Sequence, residues 1–197
     1  IQSPENSLPA GCDPQKLIIA CYMHDIGMSA DPGPKHGQKS REICREFLLK
    51  SNLEPSEYED LLEAIEDHDN KDYVPGYHDD PLLTILSLAD DLDAFGFTGI
   101  YRYSEIYLRR GVPPSGLGAL VRKNASLRFD NFTRALSAHS DYVSVHRKRY
   151  VILDRFFRNY IRQAKGYNFE TESPAGYCGV IQLFILMHKM DLSMPEL

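Results

Sequence analysis

A histidine followed at once by an aspartate, His24-Asp25, closes the apolar run Leu17-Ile18-Ile19-Ala20-Cys21-Tyr22-Met23 and leads into Ile26-Gly27. Imidazole beside carboxylate is a costly pair at the end of an apolar helix, because buried charges persist when they are paired or hold a metal. Downstream the chain supplies His36, His68 and Asp90. Each has an ordinary reading alone: a histidine at a helix end is usually hydrogen-bonded, and an aspartate there is usually a cap or a solvated charge. Four separate helices that each present such a residue inward point instead to a shared cation. Asp90 is followed by Asp91 and Asp93, and carboxylates that close together need solvent or a cation nearby. No cysteines have CxxC spacing, so the donor set is imidazole and carboxylate rather than a structural zinc cluster. Such a set suits Mn, Fe, Ni, Zn or Co at one position, with Mg at a harder second one. The second carboxylate oxygen of Asp25 can bridge to a second ion, as in sites where two ions lie about 3.5–4 Å apart around a shared water.

Helical periodicity dominates the segments that must position these residues, and strand alternation is scarce. Asp13-Pro14 is an N-cap with proline at the first helical position, and Gly27 can close that helix. A loop with Asp31-Pro32-Gly33-Pro34 follows, then a helix over 36–51, one from near Pro55 to His68, a loop over 70–80 and a helix after Pro81 that carries Asp90. On the second helix His36, Ser40, Ile43 and Phe47 share a stripe. On the third Tyr58, Leu61, Ile65 and His68 do, and on the fourth Leu83, Leu86 and Asp90 do. Phe95 to Gly99 reads as a break, Ile100 to Arg110 as a helix closed by Gly111-Val112-Pro113-Pro114, and 119–139 and 142–165 as two longer helices. A last apolar helix covers 178–190, with a β-hairpin near 167–182 as the alternative, since Tyr and Phe favour strands. The expectation is an all-α single domain over 1–197, with a motif-bearing core at about 12–110 and a helical extension over 111–197.

The chain has 197 residues, enough for one sizeable core, and its 43% apolar and 25% charged content is that of a globular protein. Cys21 and Cys44 lie among apolar residues as inert thiols, which fits a reducing compartment. No signal peptide opens the chain, and the apolar stretch Cys178 to His188 contains Gln182 and is too short to span a bilayer. The expectation is a cytoplasmic protein without a membrane partner. The net charge of −6 conceals an asymmetry: residues 1–99 carry 7 Lys and Arg against 20 Asp and Glu, and residues 100–165 carry 14 against 4. An acidic half beside a basic one suits a cation site facing an anion site, whereas the acidic total argues against nucleic acid. Arg147-Lys148-Arg149 is either a phosphate-binding group or a solvated helix turn. The apolar run from Cys178 to Met190 fits an internal helix or the face of a homodimer.

His24-Asp25-Ile26-Gly27, then His36-Gly37-Gln38-Lys39-Ser40, then Ile65-Glu66-Asp67-His68, then Ala89-Asp90-Asp91-Leu92-Asp93-Ala94 together resemble the HD superfamily of metal-dependent phosphohydrolases in order and spacing. The run from Asp93 to Arg102 is similar to the branch of small bacterial HD hydrolases with an LDAxGxxGIxR-like segment. The resemblance implies a helical fold around a divalent metal, with His24, Asp25 and Asp90 as its ligands. His36 and His68 match positions that hold a second ion or contact phosphate. Lys39 and Ser40 match a segment near the site, and Arg102 a cation near the substrate phosphate. The family pattern also has a histidine upstream of the doublet; none precedes His24, and the expected position falls before Ile1. His68-Asp69-Asn70 and Pro75-Gly76-Tyr77-His78 do not reproduce the His-His-Glu and Gly-Tyr-Pro runs of HD-GYP phosphodiesterases.

The expected reaction is attack of metal-activated water on a phosphate ester or anhydride of a small molecule, with a nucleotide as the substrate class. His36 and His68, with Arg102, would stabilise the transition state, and Asp91 or Asp93 would orient the water or a ligand. The alternative is a non-catalytic regulatory module that binds a nucleotide or metal as a signal.

Overall fold

The computed structural model describes residues 12–30, 33, 36–70 and 80–189. Among them are eight α-helices and no strand: α1 (Pro14–Met23), α2 (His36–Lys50), α3 (Glu59–Asp67), α4 (Pro81–Asp93), α5 (Gly96–Arg109), α6 (Pro114–Ala135), α7 (Ser140–Ala164) and α8 (Gly176–Lys189). Two 3-10 turns, Ile26–Ser29 and Pro55–Tyr58, precede α2 and α3. The all-α expectation holds. The loop expected over 70–80 and part of Asp31 to Pro34 lie outside the described residues. Contacts divide the chain into two units, Ile1–Asp90 and Asp91–Leu197, with the boundary inside α4. No helix among the described residues is long and apolar enough to cross a membrane.

In the first unit α1 starts where Asp13 accepts the Gln15 N–H at 2.8 Å and Pro14 supplies the first helical residue. It stops earlier than expected, at Met23, and the chain tightens into the 3-10 turn before reaching Gly27. The core joins Ala20 of α1, Cys44 and Leu48 of α2, Leu61, Leu62, Ala64 and Ile65 of α3, and Leu82, Leu83 and Leu86 of α4. The stripe expected on α3 is the buried one. On α2 the inward row differs from the expected one: His36, Ser40, Cys44 and Leu48 are buried, whereas Phe47 is exposed. Steps of four residues keep these side chains over one another along the helix, and Ile43 and Phe47 fall to one side of that row. Arg41 is clamped between Glu59 and Glu66, tying α2 to α3.

In the second unit α6 and α7 run antiparallel, with the Tyr160 hydroxyl donating to the Pro114 carbonyl at 2.7 Å. Leu117, Val121, Ala125, Phe129 and Phe132 meet Leu153, Phe157 and Tyr160 in its core. Two helices begin earlier than expected. Gly96, at φ +73°, lets the chain turn straight into α5, so the expected break shrinks to a single cap at Phe95. Pro114 initiates α6 instead of ending the loop, because its fixed φ suits a first helical turn. The alternative hairpin near 167–182 does not form. Asn168 Oδ1 accepts the N–H groups of Glu170 and Thr171, and Glu172 accepts that of Asn168, so local side-chain bonds take the backbone donors a strand would need.

Candidate metal centre

Three histidines in the first unit are held by the same local device. His24 follows the last residue of α1 and its Nδ1 lies 2.9 Å from the Cys21 carbonyl. His68 follows α3 and its Nδ1 lies 2.7 Å from the Ile65 carbonyl. His36 opens α2 and its Nδ1 lies 3.1 Å from the Gly33 carbonyl. A carbonyl oxygen only accepts, so each Nδ1 carries the proton. At the two C-terminal positions the carbonyls are ones that the helix end leaves without a following N–H. The consequence is that all three Nε2 atoms point away from the backbone, in the tautomer that a metal takes.

All three converge on Asp25, the cap of the 3-10 turn, at φ −101° and ψ 0°. Its Oδ2 lies 3.5 Å from His24 Nε2, and its Oδ1 lies 3.4 Å from both His36 Nε2 and His68 Nε2. The rings of His24 and His68 stand at 88°, with centroids 4.9 Å apart. Ligand atoms of His24, Asp25 and His68 all lie within 4.8 Å of one another, and His36 Nε2 is 3.3 Å from His68 Nε2. His24 Nε2 is buried without a hydrogen-bond partner. An orphaned imidazole nitrogen beside a carboxylate and a second imidazole is a donor set that fits a divalent ion of borderline softness.

Asp25 also acts on the protonation of His36. Its hydrogen bond to His36 raises the imidazole pKa above the ordinary value; burial opposes this, and Asp69, with Oδ2 3.5 Å from His36 Nδ1, adds to the rise. The proton at His36 therefore sits where a cation is favoured. A group whose folded pKa is raised lends stability that is present in full below its unfolded value and is lost as the pH climbs through the folded one. A metal must displace this proton, so affinity is expected to increase across the same window. Calorimetric titration with Mn or Co at pH 6, 7 and 8 should show tighter binding and proton release as the pH rises; a flat profile would mean that His36 takes no part.

The remaining expected residues are distributed as follows. Asp90 is half-buried near the end of α4 and stands outside the His24, Asp25, His68 cluster. Ser40 is fully buried and its hydroxyl accepts the Gly27 N–H at 2.9 Å, so it pins the turn after the doublet and has no surface for a substrate. Ser40→Ala would leave that buried N–H unsatisfied, at a cost of about 1–3 kcal/mol that a melting curve would read. Lys39 makes an exposed pair with Glu42 at 2.7 Å. In the second unit Asp91 is wholly buried, with Arg128 at 3.1 Å and Asn131 at 3.4 Å. Asp93 pairs with Arg102 at 2.7 Å. Arg149 reaches the Phe95 carbonyl at 3.2 Å, and Arg147 lies over the Phe129 ring at 5.1 Å.

Two contributors went unread in the sequence. Asp69 reaches His36 Nδ1, and Gly37 allows α2 to lie against the backbone of α3, where an added Cβ would meet the Glu66 carbonyl at 2.3 Å. Both sit beside a histidine of the motif, and that adjacency was the available signal.

A helical unit whose helix ends turn three imidazoles onto one carboxylate presents a donor set that could hold a metal ion. The family model of the HD domain, a family mostly of metal-dependent hydrolases, matches residues 5–94, and that stretch of the chain is similar to it. No curated protein and no solved structure matches the chain.

Proposed function

We propose that this protein is a divalent-metal-dependent phosphohydrolase acting on a phosphate ester or anhydride, with a nucleotide as its substrate class. The observation that carries the reading is the repeated fixing of Nδ1 on a backbone carbonyl at His24, His36 and His68, which leaves three Nε2 atoms converging on Asp25. His24, Asp25 and His68 would hold the ion, with His36 alongside and Asp90 as the further ligand that the HD pattern implies. The ion, once bound, supplies Lewis acidity and lowers the pKa of water to about 7. The chain's own residues do the rest. His36 stands alongside, with its Nε2 3.4 Å from Asp25 Oδ1, where it can hold a second ion or contact a phosphoryl oxygen. Asp25 Oδ1 faces the Nε2 atoms of His36 and His68, and Asp69 steadies His36 from behind.

The test is phosphate release from a panel of nucleoside mono-, di- and triphosphates, each with Mn, Co, Ni or Mg. Turnover that depends on the added ion supports the reading. Metal binding with no release from any nucleotide would leave a ligand-binding regulatory module instead.

A further inference from the structure

The second unit carries a surface that the metal centre does not use. Phe97 and Ile100 of α5, Val151, Ile152 and Phe156 of α7, and Tyr177 of α8 line an open groove of about 260 Å³. Phe97 at its edge is 77% exposed, and Val151 is 51% exposed. The apolar surface continues along α8, where Val180 and Leu183 are exposed and the stretch from Gly176 to Met187 has no charged residue. Rings link the three helices, with Tyr101 against Phe184 at 5.4 Å and Phe156 against Tyr177 at 5.4 Å. Contiguous exposed apolar surface of this kind marks an interaction site.

The groove has a charged border of one sign. Arg155 is among its lining residues, and Lys148 and Arg162 lie seven positions away on either side, on the same stripe of α7. All three are exposed. Lys148 and Arg155 form no hydrogen bond or ion pair with any described residue, and Arg162 bonds only to the neutral Asn159 side chain. The acid on this part of α7, Asp154, is taken by Arg122 at 2.7 Å and by Arg158. The Glu105 carboxylate of α5 is likewise taken, by His188 and Arg109. From Lys148 to Arg162 the helix rises about 21 Å, the length of roughly four helical turns.

From these features we infer that the α5–α7–α8 groove docks an acidic amphipathic helix of a partner protein. Its apolar face lies over Phe97, Val151, Ile152 and Tyr177, and its carboxylates meet Lys148, Arg155 and Arg162. Charge complementarity selects this occupant. A second copy docked by the same face would present the same row of cations, and like charges set together suppress association. A nucleic acid would meet the cations and could stack a base on Phe97 or Tyr177, but the rest of the exposed surface, Val151, Ile152, Val180 and Leu183, is aliphatic and suits a leucine-faced helix better than a run of bases.

The full chain should be titrated with two labelled helical peptides of about 16 residues that share a leucine face, one with a glutamate border and the other with a lysine border. Anisotropy should show the glutamate peptide binding at least tenfold more tightly than the lysine peptide, with the difference shrinking as salt is raised. The double variant Lys148→Glu and Arg155→Glu alters exposed residues only, and circular dichroism would confirm its fold. It should reverse the preference, weakening the glutamate peptide and strengthening the lysine peptide by tenfold or more. Equal binding of both peptides, or of neither, overturns the inference. So does a stable dimer by light scattering that Leu183→Glu dissociates, or displacement of the glutamate peptide by a single-stranded oligonucleotide.

Discussion

Replacing Asp25 by alanine is expected to remove metal retention and turnover together, with activity falling on the order of a thousandfold or more. The reason is geometric. Asp25 is the carboxylate on which His24, His36 and His68 converge, at 3.5, 3.4 and 3.4 Å. Without it the site keeps three imidazoles but loses the negative charge that makes a dication favourable among them. The His36 proton also loses the hydrogen bond that contributes most to holding it. Two measurements separate this loss from unfolding. Metal at a hundred times its Kd should stabilise wild type by about 2.7 kcal/mol, a rise in Tm of about 5–10 °C for a chain of this size. The variant should show no such rise, while its metal-free melting curve stays close to that of metal-free wild type. Retention of metal with full activity in Asp25→Ala would end the proposed role of the doublet.

Gly37→Ala should produce a large loss of stability from a single methyl group. An added Cβ would stand 2.3 Å from the Glu66 carbonyl oxygen, 3.2 Å from its carbon and 3.3 Å from the Ile65 carbonyl oxygen. All three belong to the backbone of α3, which has no rotamer to yield, so α2 and α3 must separate. Overpacking of this kind costs about 3 kcal/mol, which corresponds to a fall in Tm of about 6–12 °C. The separation acts on the site as well, because His36 precedes Gly37 and His68 follows Glu66 by two residues. Their Nε2 atoms, now 3.3 Å apart, would draw away from each other, and metal affinity should fall with stability. Gly116→Ala is the matching control: its added Cβ would meet nothing closer than Pro113 Cγ at 3.8 Å, so Tm and metal binding should both stay put. An unchanged melting curve for Gly37→Ala would show that α3 shifts freely and that the close approach carries no weight.

Local signals settled much of the helical content. Asp13-Pro14 marked the start of α1, and the spacing of Leu61, Ile65 and His68 marked the inward face of α3, because capping and periodicity are properties of neighbouring residues. Similar local reasoning went wrong at Pro114, which reads as a loop residue and as a helix start with equal ease, and at Gly96, whose positive φ shortened an expected break. Asn168 likewise carried a turn that the aromatic residues around it concealed.

The sequence by itself determined which residues could make up a site: the doublet His24-Asp25, and His36 and His68 at a spacing that belongs to HD domains. It also determined that these residues sit at the ends of helices, since caps and apolar runs bracket them. Only the tertiary structure decided what each one touches. It brought His68 into the closest cluster with the doublet, buried Ser40 as a brace for Gly27, and gave Asp91 to Arg128 and Asn131. The physical reason is that a side chain's type and its helical face are encoded within a turn or two of sequence. Its partner across the core depends on how closely two helices approach, and here that is fixed by a missing methyl group at Gly37 and by the direction in which three histidine rings are held by backbone carbonyls.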